Sequence, residues 1–135
     1  AVPHVRGVNN HMGSELTRQA GSMAWLMSEL GERRLYFVDS RTTAETVAAQ
    51  SAQAAGVPHL SRRVFLDNVA TEEAIEERFE YAIAEAERMG VAVAIGHPYP
   101  ETIAFLQRAL PTLASRSVRL AWASERADLS GAGYP

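Results

Sequence analysis

Cysteine is absent from the 135 residues, and so is lysine: all 13 basic residues are arginine. Without cysteine there is neither a disulfide framework nor a thiolate zinc site, and the redox compartment cannot be read from composition. The arginines are spread along the chain and the formal charge is −3, so the basic stripe that marks nucleic-acid binders is missing and nucleic acid is not an expected partner. Long hydrophobic runs are missing as well. Residues 91–95 form one of the longest, far short of the roughly 20 residues that cross a bilayer, so no membrane span is expected. Low-complexity tracts, internal repeats and a dividing linker are lacking, and the chain does not open on a basic segment followed by an apolar one.

What is present is an ordinary globular balance, 47% hydrophobic and 21% charged, in a length that suits one domain. Short apolar runs alternate with helical patterns from end to end. Strands are expected over residues 5–8, 35–38, 64–66, 91–95 and 118–122, the run at 91–95 reading as a strand covered on both faces. Between them, Leu16, Ala20, Met23, Met27 and Leu30 form one helical stripe that Gly31 should end. Thr42 and Glu45 have the spacing of a capping box, opening a small-residue helix that runs to Gly56. Thr71, Glu72 and Glu73 open a long helix with Ile75, Phe79, Ala82, Ile83 and Ala86 inward and Glu76, Glu77, Glu80 and Arg88 on a solvated face; Gly90 closes it. Pro100 suits the first turn of a helix whose Ile103, Leu106 and Leu110 point inward until Pro111. From Asp128 onward the composition reads as a frayed tail.

Strand and helix in strict alternation imply an α/β fold with a mainly parallel sheet. In such folds ligands gather beyond the carboxyl ends of the strands. Four consecutive strands here end in polar groups: Asn9, Asn10 and His11; Asp39, Ser40 and Arg41; Asp67 and Asn68; Gly96 and His97. Each has a plainer reading alone. Asp39 and Asp67 suit Asx turns or helix caps, and His11 or His97 suits a hydrogen-bonded loop histidine. His4 and His59 have no such placement, and His59 reads as part of a loop after Pro58. Taken jointly, histidine and carboxylate supply the ligands of zinc and similar divalent ions, a second histidine can act as general acid, paired amides can hold a carbonyl, and Arg41 can pin an anion. The pattern points to metal-assisted hydrolysis of a polar substrate.

Four stretches, Gly7-Val8-Asn9-Asn10-His11-Met12-Gly13-Ser14, Phe37-Val38-Asp39-Ser40-Arg41-Thr42-Thr43, Val64-Phe65-Leu66-Asp67-Asn68 and Ile95-Gly96-His97-Pro98-Tyr99-Pro100-Glu101-Thr102, closely resemble the divergent polysaccharide deacetylase family, a branch of the NodB-like carbohydrate esterases. The resemblance implies part of a deformed (β/α) barrel of about seven strands. It places residues 1–127 as the carboxyl-terminal portion of that domain, with 128–135 as a flexible tail. An upstream part, with a paired aspartate and another histidine motif, is expected to complete the domain, and the early strands here would then offer an apolar edge. By the same resemblance, His11 is a metal ligand, and His97 is the catalytic acid that protonates the leaving amine, or else a ligand. Asp39 orients one of these histidines, and Arg41 neutralises that carboxylate. Asn9, Asn10, Arg41, Asp67 and Glu101 are substrate-contacting or supporting residues. The implied function is removal of acetyl groups from amino sugars of a glycan with a divalent metal, zinc foremost, in the periplasm or outside the cell. The alternative is a catalytically silent carbohydrate-binding or envelope protein on the same fold.

Overall fold

The computed structural model describes residues 2–130. In chain order the elements are β1 (Gly7–Asn9), α1 (Ser14–Arg18), α2 (Ala20–Glu32), β2 (Tyr36–Asp39), α3 (Ala48–Ala54), β3 (His59–Ser61), β4 (Val64–Phe65), α4 (Glu72–Met89), β5 (Ala94–Ile95), α5 (Pro100–Ala109), a 3-10 helix (Leu110–Ser115) and α6 (Ala123–Ser130). They fall into two compact units, one of residues 2–61 with 121–130, the other of Arg62–Leu120. All strand pairs among the described residues are parallel, as the alternation implied. They make an open three-stranded sheet, β1-β2-β3, in the first unit and a two-stranded ladder, β4-β5, in the second; neither closes on itself as a barrel.

In the first unit Met23, Met27 and Leu30 of α2 and Ala48 and Ala52 of α3 pack with Phe37 and Val57 into one core. Alanine on α3 lets that helix approach closely, and α6 lies against β2 and β3. The single helical stripe expected from Leu16 to Leu30 is interrupted: Gln19 takes an extended conformation and separates α1 from α2. That break resets the helical phase, so Thr17 is buried while Leu16 and Ala20 face outward. Gly31 does not end the helix; α2 runs one residue further, and the left-handed turn falls on Arg34 at φ 56°. The Thr42 capping box does not form either. The Thr42 hydroxyl donates to the Met12 carbonyl at 3.2 Å and accepts from Ser14 at 3.1 Å, and α3 starts only at Ala48. With Val47 at the N-cap, Thr42 lies outside the first turn it would have capped. Val8 of β1 and Val5 before it are exposed.

The second unit is held by α4. Thr71 caps it by accepting from the Ala74 N–H, Gly90 ends it at φ 80°, and Ile75, Phe79, Ala82 and Ile83 are buried as the pattern required. They meet Val64, Leu66, Phe105 and Leu113, with the Phe79 and Phe105 rings edge to face at 5.4 Å. Burying side chains of this size contributes about 1.5–3 kcal/mol each. Pro100 opens α5 as expected, and Leu106 and Leu110 pack against the core, but the fully buried positions are Thr102 and Phe105, and Ile103 is 46% exposed.

Two strands differ from the sequence reading. Residues 118–122 form no strand, and Leu120 and Trp122 are exposed. The place of fifth strand is taken by β3, which includes His59; its ring Nδ1 lies 3.1 Å from the Val57 carbonyl. The run at 91–95 narrows to the two residues of β5, with Ala94 exposed, because its one hydrogen-bonded neighbour is the two-residue β4. Helix α6 continues to Ser130, across the start of the segment read as a tail; residues 131–135 lie outside the described residues. No helix among the described residues is long and apolar enough to cross a membrane.

Candidate functional site

The ladder of the second unit sets up its chemistry. Phe65 pairs with Ile95, so Asp67 and His97 stand the same two residues beyond the carboxyl ends of β4 and β5. There the Asp67 carboxylate, with its side chain fully buried, receives three hydrogen bonds. Its Oδ1 lies 2.8 Å from His97 Nδ1, and its Oδ2 accepts the His97 N–H at 2.5 Å and the Thr102 hydroxyl at 2.8 Å. Burial pushes this carboxyl up, but the donors from the His97 ring, the His97 backbone and Thr102 together outweigh it and hold Asp67 below the ordinary aspartate value. The carboxylate is therefore ionised at neutral pH and can only accept.

It follows that the proton of a neutral His97 ring sits on Nδ1. The lone pair is then on Nε2, the nitrogen turned away from Asp67. The ring is 39% exposed. Phe65 and Tyr99 lie nearly parallel to it, at centroid distances of 6.5 and 5.3 Å, and the Arg62 guanidinium stands 3.9 Å over the Phe65 ring. Gly96 makes the packing possible: a Cβ there would come within 3.1 Å of Thr102 Cγ2 and 3.3 Å of Asp67 Oδ2. A buried carboxylate holding an exposed imidazole in one tautomer is the arrangement of a general base or of an oriented ligand.

The polar groups of the first unit form a second cluster with a different character. Asn10 Oδ1 accepts the Ser40 N–H at 2.8 Å, the Asn10 carbonyl accepts the Ser40 hydroxyl at 2.6 Å, and Asn10 Nδ2 donates to the Met12 carbonyl at 2.9 Å. Its amide is thus engaged in fastening the loop after β1 to the end of β2. Asp39, buried, accepts the Arg41 N–H at 2.8 Å and the Thr46 hydroxyl at 2.9 Å. The orienting role that the resemblance implied for Asp39 has its observed counterpart in Asp67, which is the carboxylate that receives His97. Asn9 and His11 are exposed at and just after the end of β1, and Glu101 is exposed in the first turn of α5.

Among the described residues no three His, Cys, Asp or Glu side chains gather in a way that would hold a metal ion. His97 presents an oriented nitrogen, but its carboxylate partner is buried and engaged by three donors. The described residues do not by themselves complete a zinc site. Thr102, Phe65 and Tyr99 were not singled out in the sequence. All three lie inside the third and fourth stretches that carry the family resemblance, which was the signal for them, but none was given a role.

The family model described as divergent polysaccharide deacetylase matches residues 1–126, and the chain belongs to that family. It is 45% identical over 107 residues to an uncharacterized protein of Haemophilus influenzae and 44% identical over 107 residues to the uncharacterized protein YibQ of Escherichia coli; each match covers 79% of this chain. The matches cover 38% and 34% of those relatives, so the chain corresponds to little more than a third of their length. The crystal structure of an uncharacterized protein, ATU2773 from Agrobacterium tumefaciens, superposes with a TM-score of 0.85 at 24% identity, covering 88% of this chain and 48% of that one. That likeness bears on the fold.

Proposed function

We propose that the chain supplies the acid–base histidine of a hydrolase that removes acetyl groups from amino sugars of a glycan. The observation that carries this reading is the His97 ring, held through Nδ1 by the buried, ionised Asp67 and presenting Nε2. With its lone pair on Nε2, neutral His97 takes a proton from a water molecule as the water oxygen bonds to the acetamide carbonyl carbon. The imidazolium that results is stabilised by the Asp67 carboxylate. It returns the proton to the nitrogen as the C–N bond breaks, leaving the amine and acetic acid, which gives up its proton to become acetate. Both transfers use one atom, which suits a partly exposed ring on a fixed carboxylate.

Family membership supports the substrate class, and the parallel strands within each unit suit the family's α/β class. A divalent ion, zinc foremost, and a location in the periplasm belong to the same proposal, but no step above passes through a metal. Acetate release from N-acetylated amino-sugar oligomers tests the reading, comparing the protein with its His97→Gln variant. Wild-type turnover should fall by roughly 10²–10⁴ on substitution, the usual contribution of a positioned acid–base group. Saturable glycan binding without acetate release by the wild type would overturn the hydrolase in favour of a binding protein.

A further inference from the structure

We propose that Thr102 is a positioning residue for His97, acting through Asp67 to fix which ring nitrogen carries the proton. Thr102 is 1% exposed, and its hydroxyl donates to Asp67 Oδ2 at 2.8 Å. That oxygen also takes the His97 N–H, while Oδ1 faces His97 Nδ1. The hydroxyl and the backbone N–H together grip one carboxylate oxygen and leave the other aimed at the ring. The position of Thr102 is set independently of this carboxylate. Pro100 begins α5 after the extended Tyr99, which places Thr102 on the buried face of the first turn, and the bare Cα of Gly96 gives its methyl group room.

Removing the hydroxyl leaves Oδ2 held by the His97 N–H alone, so the carboxylate is free to turn about its Cβ–Cγ bond. A turned carboxylate no longer aims Oδ1 at Nδ1, and the neutral ring then divides its proton between the two nitrogens. The exposed nitrogen would become a donor in part of the molecules. A residue that touches no substrate thus selects the form in which His97 meets one.

The inference rests on the proposed function only for its consequence in turnover, because the tautomer can be read directly. Imidazole ¹⁵N NMR of the wild-type protein should show His97 protonated at Nδ1 when neutral. Thr102→Val should lose the uniform Nδ1–H signature, with protonated Nε2 appearing beside it, and Thr102→Ser should restore the wild-type pattern. Should the valine variant fail to fold, Thr102→Ala carries the same expectation without added bulk. An unchanged Nδ1–H signature in a folded variant without the hydroxyl would overturn the proposal. In the acetate assay, kcat should fall at least tenfold with KM unchanged in Thr102→Val and recover in Thr102→Ser. A wild type that releases no acetate would sink the hydrolase reading and leave the spectroscopic outcome to decide the role of Thr102.

Discussion

Replacing Asp67 by Asn keeps the shape of the side chain and removes its charge, so the change isolates what the carboxylate does. Two of its three donors share Oδ2 and the third meets Oδ1. An amide offers one accepting oxygen and, on its other arm, an NH₂ that donates. The better rotamer keeps the backbone N–H and Thr102 on the oxygen and turns the NH₂ toward His97 Nδ1, which must then accept. Hydrogen bonds to a charged acceptor contribute about 1.5–3 kcal/mol and neutral ones about 0.5–1.5. Three bonds weakened in this way lose about 3 kcal/mol, and relief from burying a charge returns part of it. A net loss of about 2 kcal/mol is expected, or a fall in Tm of roughly 8 °C at this chain length. The pH dependence supplies the sharper test. Burial raises the Asp67 pKa, but the donors from His97 and Thr102 more than offset it, so the folded value lies below the unfolded one of about 3.9. The carboxylate therefore stabilises the fold fully above that value, and its contribution is lost as pH falls through the folded pKa. Asn does not titrate. Urea unfolding followed by circular dichroism, from about pH 7 to about pH 3, should show a wild-type advantage that is constant near neutrality and shrinks in acid. Equal stability at neutral pH, or a gap that persists undiminished in acid, would refute the account.

Gly96→Ala introduces a Cβ 3.1 Å from Thr102 Cγ2 and 3.3 Å from Asp67 Oδ2, so the carboxylate cradle must shift. Unfolding should show a loss of about 1–2 kcal/mol, together with faster hydrogen exchange at the His97 amide; exchange at the wild-type rate would contradict it. Asn10→Ala removes the acceptor of the Ser40 N–H and the donor to the Met12 carbonyl. The expected loss is about 1–2 kcal/mol, seen as Ser40 amide exchange accelerated roughly tenfold, while α4 amides keep their protection.

The sequence disclosed more of the topology than of the contacts. Alternation of apolar runs with helical stripes was enough for a parallel α/β arrangement, and the caps Thr71, Gly90 and Pro100 set the limits of α4 and the start of α5 correctly. Short strands were harder. Residues 118–122 look more apolar than 59–61, yet only the latter pair in a sheet, because pairing depends on the neighbour available and not on composition. At the site, Asp67 and His97 were both read as strand-end groups, but two aspartates stood equally well placed. Only the register between β4 and β5, a long-range property, puts Asp67 on the ring and leaves Asp39 with Arg41 and Thr46. Thr102 was hidden because α5 was read for its apolar stripe: Leu106 and Leu110 do pack against the core, but Ile103 is exposed and Thr102 holds the buried place in the first turn.

The equal offset of Asp67 and His97 from their paired strands also limits where this chain can change length. Deleting or inserting one residue at Leu66 or Gly96 would carry one partner past the other by more than 3 Å and part the imidazole from its carboxylate, whatever the rest of the core did. The turns that enter and leave α4 are under no such restriction, since added loop length alters closure entropy only slightly. Variation in loop length that spares the reach between ladder and dyad can therefore accumulate around α4 without disturbing the chemistry at the strand ends.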